Sequence, residues 1–463
     1  MKMDDITYAS AKSIAQAIRD KEVSAVEVVE AHLRRIDEVN PKLNAVVHLA
    51  ADRALSEARN ADAATARGES NGPLHGVPMT VKDSHDAEGL VSTGGTKGRE
   101  NFVPDRDATT VARMRAAGAI VLGKTNTPEL TLSFETDNLI YGRTNNPYDL
   151  ERTPGGSSGG AGAIIASGGS PLDLGTDTGG SVRVPSAFCG IAGLKPTSGR
   201  VPRTGHIISH SLGATDALTT VGPMARYVED LVLAYPIIAG PDGEDPFIVP
   251  MPVDDPANVD VKSLRVAWFT DIGDMTSTAE IASATKAAAD ALTDAGVSLT
   301  EDMPNALVNP TETNLLTADG GAGVRRILDK AGTTEVHPWL SRFIEGTDPL
   351  PVGEYTALLE VVDAFRSDML GFMEDYDAIL LPVRPHPPLP HGESRTPERS
   401  PGGKFTAAFN TTGWPGAVVR AGTSPEGLPI GVQMIARPWR EDVSLALAAV
   451  VESALGGWQK PSI

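Results

Sequence analysis

Behind Ser24-Ala-Val-Glu27, which has the form of a capping box, Val26, Val29, Leu33 and Ile36 repeat at helical spacing. Asn40-Pro41 predicts the end of that run, because proline lacks an N–H and crowds the preceding turn. With Ser10 to Asp20 ahead of it, the pattern predicts a helical pair packed on a core. Gly76-Val-Pro-Met-Thr-Val-Lys82 reads as a turn feeding a short strand, and Ala119 to Gly123 as another, after a helix from Thr109 to Ala117. From 152 to 200 the order is loop (Pro154 to Gly160), helix (Ala161 to Ser167), strand (Pro171 to Leu174), turn (Thr176 to Gly180) and helix (Ser181 onward). Glu354 to Glu374 is again helical. Such alternation predicts an α/β layer architecture around a buried, largely parallel or mixed sheet.

Length narrows this little, since 463 residues allow one to three domains. Charge narrows it more. With 40 basic and 60 acidic residues the formal charge is −20, which repels phosphate backbones and anionic lipid heads, so no nucleic-acid partner is expected. The start, Met-Lys-Met-Asp-Asp-Ile, has no apolar h-region and no eighteen apolar residues run together, so the expectation is a cytoplasmic protein without a membrane anchor. The single cysteine, Cys189, is expected to be a small buried hydrophobe between Phe188 and Gly190. A Pro/Asp-rich stretch at 240–259 and a Pro-rich one at 382–403 read as surface excursions or lobe boundaries, and the segment between them as a place for a substrate-covering lobe. The 47 glycines are densest at 155–199, where 13 of them fall, a region of tight backbone.

That region holds the candidate chemistry. Acyl transfer from an amide requires a nucleophile, a base, an acid for the leaving amine and donors for an oxyanion. Ser181 follows the glycine turn in Gly175-Thr-Asp-Thr-Gly-Gly-Ser-Val-Arg183, where the N–H groups of Thr178 to Ser181 can converge on one anion. Ser157 lies in a first glycine loop, and Lys82 ends a predicted strand. A lysine serves as a base at neutral pH only if its pKa falls from about 10.4 to roughly 7, a destabilisation of the ammonium by about 4–5 kcal/mol that burial or a cationic neighbour must supply. Taken singly, a lysine is usually a solvated charge and a serine–glycine run a turn.

Together they resemble a known family. Thr144-Asn-Asn-Pro-Tyr-Asp149, Arg152-Thr-Pro-Gly-Gly-Ser-Ser-Gly-Gly160, Gly175 to Pro185 and Gly193-Leu-Lys-Pro-Thr-Ser-Gly199 form a long motif similar to the amidase signature family, in its bacterial and fatty-acid-amide-hydrolase-like branch. The two serines stand 24 residues apart, with the lysine 99 residues before Ser181. Gly76 to Asp83 upstream, and Phe409 to Gly413, Gly427 to Gln433 and Arg440 to Asp442 downstream, extend the resemblance over nearly the whole chain. It implies one catalytic domain over 1–463 with a central mixed β-sheet covered by helices on both faces, a signature core at about 70–235 and a pocket-shaping excursion at about 240–403. It further implies Ser181 as nucleophile, Ser157 as bridge with a cis peptide, and Lys82 as base. Thr178, Gly179, Gly180 and Ser181 would form the oxyanion hole, with Ser158, Asp177 and Arg183 as support. Thr131, Leu132 and Phe134 would line the substrate pocket. No metal and no organic cofactor are expected, and no histidine is needed, although His75 and His85 flank the lysine strand.

The expected substrate is a small-molecule amide, with aryl amides, anilides or carbamates (urethanes) favoured by an apolar pocket and esters open to the same chemistry; the expected assembly is a homodimer. Arg420 stands where many relatives carry proline, and Trp414 is a further candidate for substrate contact. Three other readings remain. An amidotransferase component that releases ammonia from glutamine for a tRNA-bound substrate shares the signature, although Ser84 to Leu90 does not resemble that component. Gly156-Ser-Ser158-Gly-Gly160 formally matches the α/β-hydrolase elbow, with Ser158 as nucleophile. A phosphate-binding module would need a Gly-Lys-Ser/Thr continuation, which neither glycine loop has.

Overall fold

The computed structural model describes residues 6–210, 218–308, 315–346, 348–396 and 400–463; Met1 to Asp5 of the leader reading, and 309–314, 347 and 397–399 of the expected excursion, lie outside them. In chain order the strands are β1 (Val46–Leu49), β2 (Pro78–Lys82), β3 (Ile120–Thr125), β4 (Leu172–Asp177), β5 (Ala192–Lys195), β6 (Thr220–Ala225), β7 (Arg265–Trp268), β8 (Ser298–Glu301), β9 (Ala378–Pro382), β10 (Gly416–Thr423) and β11 (Pro429–Ala436). Eight of them form one mixed sheet in the order β4-β6-β5-β10-β11-β9-β7-β8, antiparallel as far as β9 and parallel across β9, β7 and β8. The other three make a small sheet, β1-β3-β2. Among the described residues no ladder joins the two sheets; a shared apolar core and hydrogen bonds to side chains do. Thr80 N–H donates to Ser170 Oγ at 3.1 Å, Thr125 Oγ1 to Asp173 Oδ2 at 3.0 Å, and Lys82 Nζ to Thr176 Oγ1 at 2.8 Å.

Period-two alternation divides the large sheet into two buried faces. Leu380 of β9 and Val432 and Met434 of β11 point into one apolar core with Leu292 of helix Ala279–Asp294 and Val443 and Leu447 of helix Glu441–Leu455. Their sequence neighbours Ile379, Leu381 and Ile435 point the other way, against Phe405 and Phe409 of helix Lys404–Thr411 and Phe365 and Met369 of helix Val352–Phe372. The expected α/β fold with helices on both faces of a central mixed sheet is therefore present. Among the described residues no helix is long and apolar enough to cross a membrane.

Three boundaries differ from those predicted. Helix Ala25–Leu43 runs through Asn40-Pro41 and closes at Asn44, in the left-handed conformation with φ 50°. Pro41 and the residue four before it, Asp37, both face solvent, so water can serve the carbonyl that proline leaves without a donor. Strand β4 extends to Asp177, which pairs with Thr220 of β6, so Thr176 and Asp177 are strand residues and not part of a turn. The helices of the glycine region are Gly159–Ala166 and Arg183–Phe188, the first starting two residues early and the second two residues late. Within 240–403, β7, β8 and β9 belong to the large sheet, whereas helices Ala322–Ala331 and Pro338–Glu345 build a separate apolar cluster with Leu130, Leu132, Ile207 and Ile208.

The capping box predicted at Ser24 is formed: Ser24 Oγ accepts from Glu27 N–H at 3.1 Å, and Ser24 N–H donates to Glu27 Oε2 at 2.8 Å. Ser24→Ala is expected to cost about 1 kcal/mol of stability, read by chemical denaturation, with Ser24→Asp restoring most of it.

Candidate active site

Lys82 is the last residue of β2, and its side chain is 0% exposed. Every contact of its amine is a hydroxyl: Ser157 Oγ at 2.6 Å, Thr176 Oγ1 at 2.8 Å and Ser158 Oγ at 3.0 Å. Hydroxyls both donate and accept, so they can solvate an ammonium or a neutral amine without favouring the charge as a carboxylate would. Burial pushes the amine down to about 7, against the upward pull of Asp173 and Asp177. Asp173 is itself buried and pushed up by desolvation, which weakens that pull.

Ser157 and Ser158 lie in the turn before helix Gly159–Ala166, and the Gly156–Ser157 peptide is cis. Ser158 N–H donates to the Ser181 carbonyl at 3.2 Å, tying the first glycine loop to the second. Among the described residues no hydrogen bond yet joins Ser181 Oγ to Ser157 Oγ. Catalytic hydrogen bonds commonly tighten only when substrate is bound.

The second loop is shaped by Asp177. Its carboxylate accepts from the N–H groups of Gly180 at 2.8 Å, Val182 at 3.1 Å and Arg183 at 3.3 Å. The Arg183 guanidinium grips it through Nε and Nη2, both at 3.0 Å, and reaches Asn410 Oδ1 at 2.6 Å and Gln433 Oε1 at 3.1 Å. Both charges of the pair are 0% exposed. These bonds hold the Asp177 carboxyl well below the usual range despite its burial. They also correct one expectation: the Gly180 N–H is spent on Asp177 and does not face an oxyanion. The N–H groups of Thr178, Gly179 and Ser181 have no partner among the described residues. Gly180 has φ +133°, and a Cβ there would lie 2.5 Å from Thr406 Oγ1, which donates to Gly179 O at 2.6 Å.

Of the three residues expected to line the pocket, the structure brings one, Phe134, toward the glycine loops. Leu132 turns into the cluster with Ile207, Val324 and Leu340, its carbonyl accepting from Trp339 Nε1 at 3.1 Å. Thr131 is buried with its hydroxyl unpartnered among the described residues. Phe134 alone of the three reaches the glycine loop, its ring tip 3.7 Å from where a Gly179 Cβ would stand. Trp414 packs in the core with Phe405 and Phe409. Arg420 is absorbed by Gly422 O at 3.1 Å and Thr423 Oγ1 at 2.7 Å. His75 bonds Thr65 Oγ1 at 2.8 Å, while His85 is buried beside His206, with ring centroids 5.0 Å apart. Cys189 is buried, and desolvation pushes its thiol far up, as expected of a small hydrophobe.

Sequence reasoning missed Thr176 as a partner of Lys82, having assigned it to a turn, and missed Thr406, which nothing in its local sequence marks. Asn410 and Gln433 lie inside the quoted downstream motifs, but their convergence on Arg183 needs the fold. Among the described residues no three His, Cys, Asp or Glu side chains come together as a metal site.

Comparison with known proteins places this geometry. A family model described as Amidase matches residues 27–445. A glutamyl-tRNA(Gln) amidotransferase subunit from Carboxydothermus hydrogenoformans is 36% identical over 482 residues, covering 97% of each chain. The indoleacetamide hydrolase of Bradyrhizobium diazoefficiens is 36% identical over 456 residues, covering 96% of this chain and 86% of its own. Among solved structures, 6-aminohexanoate cyclic dimer hydrolase superposes with a TM-score of 0.89 at 30% identity, covering 98% of this chain and 99% of its own.

Arg183→Met leaves a buried carboxylate without its cation and is expected to cost about 3–5 kcal/mol, seen as a fall in thermal unfolding temperature. The double variant Asp177→Asn with Arg183→Met should lose less than the sum of the two single changes.

Proposed function

Because the chain belongs to the amidase family and is a hydrolase of C–N bonds in amides, we propose that it cleaves a carboxylic amide through an acyl-enzyme on Ser181. The observation that carries this reading is the Lys82 amine, sealed from water and 2.6 Å from Ser157 Oγ, on a loop tied to Ser181. Neutral Lys82 takes the Ser157 proton as Ser157 takes that of Ser181, and Ser181 Oγ bonds to the amide carbon. The N–H groups of Thr178, Gly179 and Ser181 receive the oxyanion. When the intermediate collapses the C–N bond breaks, and the proton returns through Ser157 to the departing amine. Water then repeats the relay to release the acid. Carbamates and esters present the same acyl carbon and are admitted by the same steps. Ser158, which donates nothing to a substrate face and supports Lys82, is assigned a positioning role in place of the nucleophilic role in the α/β-hydrolase reading.

The amidotransferase reading is kept as a second one because a protein of that name is 36% identical along almost the full chain. Ammonia release from glutamine only in the presence of partner chains would favour it.

Ser181→Ala and Lys82→Ala are expected to lower kcat/KM by at least about 10³-fold, and Ser158→Ala by roughly tenfold, on a panel of anilide, primary amide, ester and carbamate. A fluorophosphonate should label Ser181 in the wild type. Retained activity in Ser181→Ala would overturn the mechanism.

Lys82 works when uncharged, so kcat/KM should rise with pH through about 7 and level off above it. A profile flat from pH 5 to 9 would remove Lys82 as the base.

A further inference from the structure

Among the described residues, the guanidinium groups of Arg183, Arg200 and Arg226 each reach acceptors in the fold, and that of Arg384 reaches none. Arg183 has Asp177, Arg200 has Glu441 at 2.9 Å, and Arg226 donates to the carbonyls of Ser170, Ala9 and Ile165 at 2.8–3.0 Å. Arg384, two residues beyond β9, is 6% exposed and has neither a hydrogen bond nor an ion pair among the described residues. Its guanidinium lies over the Phe134 ring, 4.0 Å from the centroid. Burial pushes it down to about 9, and the charged group that adds to the shift is another cation, Arg183. At neutral pH it therefore keeps its charge in a buried setting, an arrangement that is unfavourable without a counter-ion.

The guanidinium lines a recess with Phe134, Val184, Phe188, His386 and Ser394. That recess adjoins the chemistry. Val184 belongs to the helix that begins two residues after Ser181, and the Phe134 ring points at the open side of Gly179, 3.7 Å from where a Cβ there would stand. A second unfilled polar group faces it: Ser394 Oγ is buried and without a partner among the described residues. Glu135, the carboxylate beside Ser394, accepts from the N–H groups of Ser394 at 3.0 Å and Gly392 at 2.8 Å and leaves Arg384 alone. A guanidinium and a hydroxyl, both without a partner among the described residues, line a narrow recess near the Thr178 to Ser181 turn and can donate to a planar anion that enters it.

We propose that Arg384, with Ser394, receives a carboxylate carried by the substrate, so that the amides this chain hydrolyses best are anionic ones. The assignment rests on Ser181 as the nucleophile, and it deepens that reading by naming a substrate class. The anion replaces a missing counter-ion only when substrate is present, so binding energy is drawn from a charge the folded chain already holds out of water.

Matched pairs decide it: succinamate, glutaramate and phthalamate against their neutral methyl esters, assayed for release of ammonia by wild type, Arg384→Met and Arg384→Lys. The wild type should favour each anionic amide at least about tenfold in kcat/KM. Arg384→Met should abolish that preference while changing the neutral amides less than about threefold, and Arg384→Lys should restore part of it. Equal use of both members by the wild type, or an equal loss of both in Arg384→Met, overturns the anion site and leaves the hydrolase reading intact. Absence of fluorophosphonate labelling at Ser181 would instead sink the hydrolase reading. In that event phthalate binding by calorimetry still decides the site, supporting it if binding is present in wild type and lost in folded Arg384→Met, and overturning it otherwise.

Discussion

A buried lysine amine whose hydrogen-bond partners among the described residues are three hydroxyls is the constraint around which the rest is arranged. An ammonium in such a place is destabilised by desolvation, and a neutral amine is not. The surroundings must therefore solvate the amine without fixing its charge. Ser157, Ser158 and Thr176 do this because each hydroxyl can reverse its role as the proton moves. Charges that would interfere are kept at a distance or neutralised: Asp173 is pushed towards its neutral form, and Asp177 is committed to Arg183.

That commitment fixes the geometry of the second loop. One carboxylate collects three backbone donors and a two-pronged guanidinium, so the residues between β4 and the following helix have little freedom. Arg183 in turn is held by Asn410 and Gln433, which come from a helix and a strand more than two hundred residues later. The turn around Ser181 is thus positioned by the large sheet and its covering helix, and its precision does not depend on local sequence alone.

The family, and the serines that meet Lys82, were legible because these residues sit in unbroken motifs: the two glycine loops, the lysine strand and the downstream segments are recognisable in order. The layered α/β architecture was legible from alternating strand and helix patterns. Other features need distances that no local pattern carries. The role of Thr176 depended on β4 continuing to Asp177, a length set by pairing with β6 and not by residue type. Gly180 looks like a fourth oxyanion donor until the Asp177 carboxylate is seen to claim it. Leu132 is apolar whether it lines a pocket or fills a core, and it took helices from beyond residue 320 to decide for the core. Arg384, in a proline-rich stretch that read as a surface excursion, is buried because that stretch folds back over Phe134.

Lys82 and Ser181 belong to different sheets. Lys82 ends β2 of the small sheet and Ser181 follows β4 of the large one; among the described residues no ladder crosses between the sheets, which meet through a few hydrogen bonds to side chains and through a shared apolar core that includes Val81 and Leu174. A seam of this kind has fewer backbone bonds to break than either sheet, which makes it a natural line of sub-global opening. Any shift along it changes the distance between Lys82 and the Ser181 loop without breaking a ladder in either sheet, so the packing of that shared core sets the registry of the two residues.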